Sequence, residues 1–237
     1  MSDKTVLKLD WCSYAAAKYA VEHWHYSKSM PTPPLVKIGV WEQMQYIGCV
    51  LFSRGASTNL LKPYGLSNIQ GCELTRIALA LHKASVSKIV SIALRLLAQF
   101  NPGLRLIVSY ADPFHEHLGI IYQAGNWVYT GTSSPDRAFI DQHGKQYHSR
   151  MIAENGSGYR KQFGVLRKCR DAKTMTKVIL PGKHRYLYPL DAAMRAQILP
   201  LAQPYPKRAA SIPADAPAVQ AGESGAAPTA ALSSCPD

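Results

Sequence analysis

The chain has 237 residues, 47% of them hydrophobic, enough to bury a core as one domain or one domain plus an appendage. No apolar run approaches the roughly 20 residues that span a bilayer, and the opening "MSDKTVLKLD" is no signal peptide, so a soluble cytoplasmic protein is expected. The formal charge of +12 is uneven: residues 1–208 carry 27 basic and 12 acidic side chains, a net of +15, which points to a polyanion, nucleic acid before an anionic membrane or cofactor.

"TVLKLD" reads as a short strand, and "SYAAAKYAVEHW" as an Ala-rich helix with Ser13 at its N-cap. The prolines of "HWHYSKSMPTPP" end that helix and leave the motif on its last turn and the following loop. "LVKIGVWE" and "QYIGCVLFSRG" are apolar and separated by a short turn, as in a hairpin. After the loop "STNLLKPYGLSN" come a strand, "CELTRIALAL", and a helix, "HKASVSKIVSIALRLLAQF", capped by Ser85 or Ser87. "NPG" ends the helix, and "LRLIVSYAD" is an apolar strand of buried type. A short helix, "EHLGIIYQAG", with Gly125 as its C-cap, a strand "NWVYTG" and a hairpin turning at His143-Gly144 follow.

This alternation predicts an α/β fold, a mixed sheet with helices on both faces, over residues 1–150. Residues 151–208 are basic and turn-rich and are expected to pack on that core as an extension. Residues 209–237, "AASIPADAPAVQAGESGAAPTAALSSCPD", have little to bury and are expected to be disordered. The five cysteines form no CxxC pair, which argues against a disulfide scaffold or a cysteine-rich zinc site; Cys49 and Cys72 read as small buried hydrophobes.

Several residues invite chemistry. His23, Trp24, His25 and Tyr26 are core filling, metal ligands or active-site groups. Strand alternation in "ELTRIAL" sets Glu73, Thr75 and Ile77 on one face and Leu74, Arg76 and Ala78 on the other. Arg76 therefore needs a buried partner such as Glu22, Glu42 or Asp112, or else faces a cleft and binds an anion or a carbonyl. Ser109 and Asp112 stand at the carboxyl end of a strand, where α/β sheets bind ligands. Asp112 is a general base or the cap of the turn "DPFHEH". His23 and His25, with His115, His117 and Asp112, are surface histidines or a non-haem-iron type of ligand set. Between Arg160 and Arg185, nine bases including Arg160, Lys161, Arg167 and Lys168 face one acid, Asp171, with tyrosines interleaved, as a DNA or RNA groove requires.

"HWHYSKSMP", "ELTRIALAL", "VSYADPFHEHLGIIYQAGNWVYTG" and "YRKQFG", in that order, resemble the Mom DNA-modification proteins of Mu-like phages and prophages. The resemblance implies a variant of the GNAT acyltransferase fold. It also implies addition of a carbamoylmethyl (acetamido-type) group to the exocyclic amine of adenine, which shields phage DNA from host restriction enzymes. It carries catalytic roles to His25, Tyr26, Arg76, Ser109 and Asp112. One departure stands out: the glycine-rich turn that grips pyrophosphate in acyl-CoA enzymes is replaced by "HKASVSK", which has no glycine. Lys83, Ser85 and Ser87 are the residues left there to bind an anionic donor, an acyl-CoA-like molecule or another carbon source; iron assistance is a further option for the family.

The sequence thus predicts a DNA adenine-modifying transferase in the bacterial host cytoplasm, with double-stranded DNA as partner and no membrane. Trp24 or Tyr26 would stack on an extruded base, and His25 or Asp112 would remove a proton. Arg76 and Ser109 would polarise the donor carbonyl. The alternatives are an acyl-CoA-dependent N-acetyltransferase of a small amine or protein, discriminated by acetyl-CoA binding, and a non-catalytic DNA-binding protein of a mobile element. The last would footprint DNA without changing nucleoside mass.

Overall fold

A computed structural model describes residues 6–55, 57–153, 158–162 and 165–207. The expected order of elements holds through the first half: β1 (Leu7–Trp11), α1 (Tyr14–Trp24), β2 (Leu35–Glu42), β3 (Gln45–Ser53), β4 (Gly71–Leu79), α2 (Val86–Phe100), β5 (Leu106–Ala111), α3 (Ile120–Gln123) and β6 (Val128–Thr132). Further on lie β7 (Asp136–Ile140), β8 (Gln146–His148), β9 (Ile152–Ala153), β10 (Tyr159–Gln162), β11 (Val165–Lys168), β12 (Arg170–Asp171) and β13 (Thr176–Leu180). β14 (His184–Pro189) and α4 (Ala192–Ile198) complete the described elements. Residues up to Pro206 form one compact unit; the second, residues 207–237, lies outside the described residues apart from Lys207 and contains the expected tail, 209–237.

Seven strands make the main sheet in the order β1-β2-β3-β4-β5-β14-β6. All neighbours are antiparallel except β4 and β5, which run parallel and are joined by the α2 crossover such a pair requires. Helices cover both faces. α1 lays Ala17, Ala20 and Val21 on Cys49, Leu51 and Ala78 of one face. α4 continues that face, packing Met194 and Ile198 on Leu106, Val108 and Leu187. On the other, α2 packs Ile89, Val90, Ala93, Leu94 and Leu97 against Val50, Phe52, Leu74 and Ile107. The caps follow sequence: Ser13 Oγ accepts from the Ala16 amide at 3.1 Å, and Asp191 Oδ1 accepts from that of Met194 at 2.7 Å. At the end of α3 the left-handed residue is Asn126 (φ 56°), not the expected Gly125; Ala124 is the C-cap.

The stretch 151–208 corrects the expected division of the chain. It was expected to pack on the core from outside, yet it supplies an interior strand: β14 pairs with β5 over Arg185↔Tyr110 to Pro189↔Leu106 and with β6 on its other side. A strand inside a sheet covered on both faces buries consecutive residues, and Tyr186 and Leu187 are both 0% exposed. The β7–β8 hairpin with Gly144 (φ 76°) at its turn is present as expected, and β13 joins it to form a separate three-stranded sheet.

Because Leu187 sits among Leu106, Val108, Val128 and Met194, Leu187→Ala is expected to lower unfolding free energy by about 2–5 kcal/mol in urea titrations of the full chain. A change below about 1 kcal/mol would mean that β14 is peripheral to the sheet.

Candidate active site

The parallel pair creates an opening. β4 and β5 are in register from Gly71↔Leu106 to Leu74↔Ser109, and there their pairing stops. Beyond that point β4 stays with β3 and β5 stays with β14. A cavity of about 470 Å³ fills the gap, at the carboxyl ends of parallel strands where α/β sheets bind ligands.

A bulge in β4 shapes one wall. Leu51 pairs with Arg76 but Phe52 pairs with Leu74, so Thr75 is an extra residue, its hydroxyl donating to Leu51 O at 3.1 Å. The simple alternation expected for "ELTRIAL" fails here: Leu74 and Ile77 pack into the α2-side core, and Thr75, Arg76 and Ile77 all line the cavity. The opposite wall comes from Tyr110, His117, Gly119 and Tyr122, and the third from Trp24, His25 and Tyr26 at the end of α1.

Arg76 has none of the three acids considered for it. Glu22 pairs with Lys18, Asp112 with Lys183, and Glu42 binds backbone amides. Its Nη1 instead donates to Thr75 O at 2.7 Å and its Nε to Ser29 O at 3.4 Å. Burial pulls its pKa down, with Tyr26 and Glu73 opposing, and a guanidinium so held remains charged.

His25 is 8% exposed. Its Nδ1 accepts from the Ser27 amide at 3.0 Å and lies 2.8 Å from Ser27 Oγ. An amide can only donate, so Nδ1 carries no proton and the neutral ring bears its proton on Nε2. Burial, then the charges of Arg76, His117, His115 and Lys28, push the His25 pKa down to about 4. Tyr26 is half exposed and lies against His25, His115 and His117, with ring centroids 4.3, 4.6 and 5.3 Å away.

A model of the Mom protein family matches residues 6–207. The chain belongs to the Mom protein family. A relative from Escherichia phage Mu, methylcarbamoylase mom, is 24% identical over 208 residues, covering 85% of this chain and 84% of its own. Among solved structures, an N-acyl amino acid synthase from uncultured soil microbes is 10% identical over 83% of this chain and 96% of its own, with a TM-score of 0.45. An aminoglycoside 6'-N-acetyltransferase from Enterococcus faecium is 8% identical over 78% and 97%, with a TM-score of 0.41.

In this Mom-family chain the residues singled out by sequence divide into groups. Trp24, His25, Tyr26 and Arg76 share the cavity. Ser109 is 0% exposed and lies behind it, its Oγ 2.9 Å from Leu74 O and 2.8 Å from the Tyr122 hydroxyl. Leu74 O can only accept, so the single Ser109 proton goes there, and the Tyr122 hydroxyl supplies the proton of the second bond. Asp112 caps the turn: Oδ1 accepts from the Phe114 amide at 3.1 Å and Oδ2 sits 3.2 Å from Lys183 Nζ.

The turn that carries Lys83, Ser85 and Ser87, expected to bind an anion, is partly engaged from within. The Glu42 carboxylate accepts from the Lys83 amide at 2.9 Å and the Ala84 amide at 2.8 Å, bonds that hold its pKa below the usual carboxylate range. A pyrophosphate does not fit at these two amides beside that charge. Ser85 is the N-cap of α2, and Ser87 lines a second hollow of about 390 Å³ between α2 and α3. His23 turns away from the cavity, its Nδ1 bonding Tyr19 O at 2.8 Å. Among the described residues no three His, Cys, Asp or Glu side chains are arranged to hold a metal ion, so the iron ligand set raised by the sequence is not assembled. The side chains of Arg160, Lys161 and Arg167 lie outside the described residues; Lys168 is exposed.

The sequence reading missed Tyr110 and Tyr122. Tyr110 was legible as the neighbour of Ser109 that strand alternation sends to the other face. Tyr122 carried no local signal, because its place beside Ser109 is a tertiary contact. Burial pushes the Tyr110 and Tyr122 hydroxyls up to about 12, so both stay protonated at neutral pH.

The His25 geometry makes a direct spectroscopic prediction. Long-range ¹⁵N correlation at pH 7 should find Nε2 protonated and Nδ1 bare, with the ring charging only near about pH 4. Arg76→Ala should raise that midpoint. The lowered folded value means that His25's contribution to stability is complete above its ordinary value of 6.5 and is lost as pH falls from there through about 4.

Proposed function

We propose that the chain is a transferase that adds a carbamoylmethyl group to the exocyclic amine of adenine in DNA. The observation that carries the reading is one cavity, opened between β4 and β5, which joins a neutral imidazole, a guanidinium and a half-exposed tyrosine. Membership of the Mom family and the likeness to the phage Mu methylcarbamoylase supply the substrate class. The net +15 of residues 1–208 supplies the attraction to phosphate. Protection of phage DNA from restriction in the host cytoplasm is the biological reading that follows.

The adenine amine is a weak nucleophile because its lone pair is delocalised into the ring. The base has to leave the duplex to reach a cavity inside the protein, and Tyr26 offers the flat face on which it can stack. In the reaction the amine nitrogen forms a bond to the donor carbon, and the bond from that carbon to the leaving group breaks with its electron pair going to the leaving group. The amine proton passes to that departing group or to water. Arg76 and the Nε2 proton of His25 are both hydrogen-bond donors on this cavity. They suit the carbonyl oxygen of the donor, which they can orient and polarise beside the reacting carbon. This assigns His25 to polarisation and not to proton removal, since its free proton site is already filled and its basicity is low. Asp112 acts as a positioning residue for the turn that carries His115 and His117.

Nucleosides from DNA of cells expressing the chain should contain an adenine heavier by the carbamoylmethyl group when analysed by mass spectrometry. His25→Ala and Arg76→Ala, both shown to be folded, are each expected to lower that product about 10²–10³-fold. Unmodified DNA from the parent chain would defeat the reading, and full activity in both variants would defeat the site.

Duplex affinity should fall as salt rises. Reversing Arg160, Lys161, Arg167 and Lys168 to Glu should weaken binding and flatten the salt slope by about 0.9 for each phosphate contact removed. Unchanged affinity would take β10 and β11 out of the DNA path.

A further inference from the structure

We infer that Phe114 is a wedge that enters the base stack and fills the space left by the extruded adenine, an inference that rests on the DNA reading above. Three exposed apolar side chains stand around the cavity mouth: Tyr26 at 50%, Phe114 at 48% and Ile120 at 64%. Tyr26 and Ile120 line the cavity itself and so face whatever occupies it. Phe114 does not line it. Its ring meets His115 edge-on at 5.3 Å, and His115 in turn lies 4.6 Å from Tyr26, which sets Phe114 on the rim, where the rest of a duplex would lie.

A wedge has to be rigid, and this turn is pinned. Asp112 Oδ1 accepts from the Phe114 amide at 3.1 Å, and Asp112 O accepts from the His115 and His117 amides at 3.1 Å each. Pro113 fixes the backbone immediately before the ring. Glu116, at φ 58°, closes the turn by donating its amide to Pro113 O at 3.0 Å. Asp112 is the acid that holds this frame, and Lys183 Nζ offsets its charge at 3.2 Å; Glu116 is a second, exposed acid at the end of the turn.

The chemistry of extrusion calls for such a side chain. Removing a base exposes the faces of its two neighbours, at a cost of a few kcal/mol, and an apolar ring inserted between them offsets that cost. The phenyl ring also leaves water on insertion, gaining roughly 25 cal/mol for each Å² covered.

The test needs no donor molecule. Duplexes carry 2-aminopurine at the target position, either opposite thymine or opposite an abasic site, and fluorescence reports extrusion as the full-length protein is added. Wild type should raise the signal in both. Phe114→Ala should raise it fully opposite the abasic site but about tenfold less opposite thymine, and Phe114→Leu should recover most of the difference. The wedge is overturned if Phe114→Ala matches wild type opposite thymine, if it loses both signals alike, or if wild type extrudes the base only opposite the abasic site. Wild type that binds the abasic duplex with no rise in signal overturns the adenine reading and the wedge with it.

Discussion

The site depends on a single interruption, the point at which β4 and β5 stop pairing. A parallel pair that ends abruptly leaves carbonyls without their ladder partners, and buried carbonyls must be satisfied. Here the satisfying groups are side chains from the site itself. Ser109 Oγ donates to Leu74 O at the last paired position, and Arg76 Nη1 donates to Thr75 O one residue on. The bulge at Thr75 turns β4 so that three consecutive residues reach the gap. The cavity and the end of the pairing are thus one construction: the groups that satisfy the released carbonyls line the cavity or adjoin its lining.

That construction sets the electrostatics. Arg76 is charged and bonded to the backbone carbonyls of Thr75 and Ser29, in a wall that also holds His25, with His115, His117 and Lys28 nearby. Positive charge accumulated in a partly buried space has one main effect on an imidazole, to keep it neutral, and burial acts in the same direction. The Ser27 amide then selects the tautomer. The result is a pair of hydrogen-bond donors, one charged and one neutral, suited to holding an acceptor oxygen and poorly suited to taking up a proton.

Much of this was legible in sequence, for identifiable reasons. The N-caps at Ser13 and Ser85, the Ala-rich α1 and the amphipathic α2 all rest on local rules, and all are present. "HWHY" was legible because a helix end packed with aromatic and imidazole groups is hard to explain as core, and Arg76 because a guanidinium in an apolar strand needs a reason. The failures are tertiary. "HRYLYP" was read as part of a basic extension because its charges dominate; its partners on β5 and β6 lie more than 50 residues away in sequence. A bulge is set by register against a neighbouring strand, which local alternation does not encode. Asp112 was weighed as base or cap, and its turn and Lys183 bind both of its oxygens.

Glu42 bears on the turn before α2. It ends β2, 8% exposed, and spends both carboxylate oxygens on the amides of Lys83 and Ala84, just before α2. These amides lie in the turn just before the Ser85 N-cap of α2, beside the helix N-terminus where an external phosphate would be held. An entering pyrophosphate would have to displace a bonded carboxylate and then tolerate it nearby, a repulsion that grows as water is excluded. The missing glycines in "HKASVSK" and the presence of Glu42 bear on the same turn: two of its amides are already bonded by the chain's own carboxylate. On the proposed reading donor recognition falls to the cavity walls, where Arg76, His25 and the Tyr110 hydroxyl have hydrogen bonds to give, the Tyr122 proton being used on Ser109.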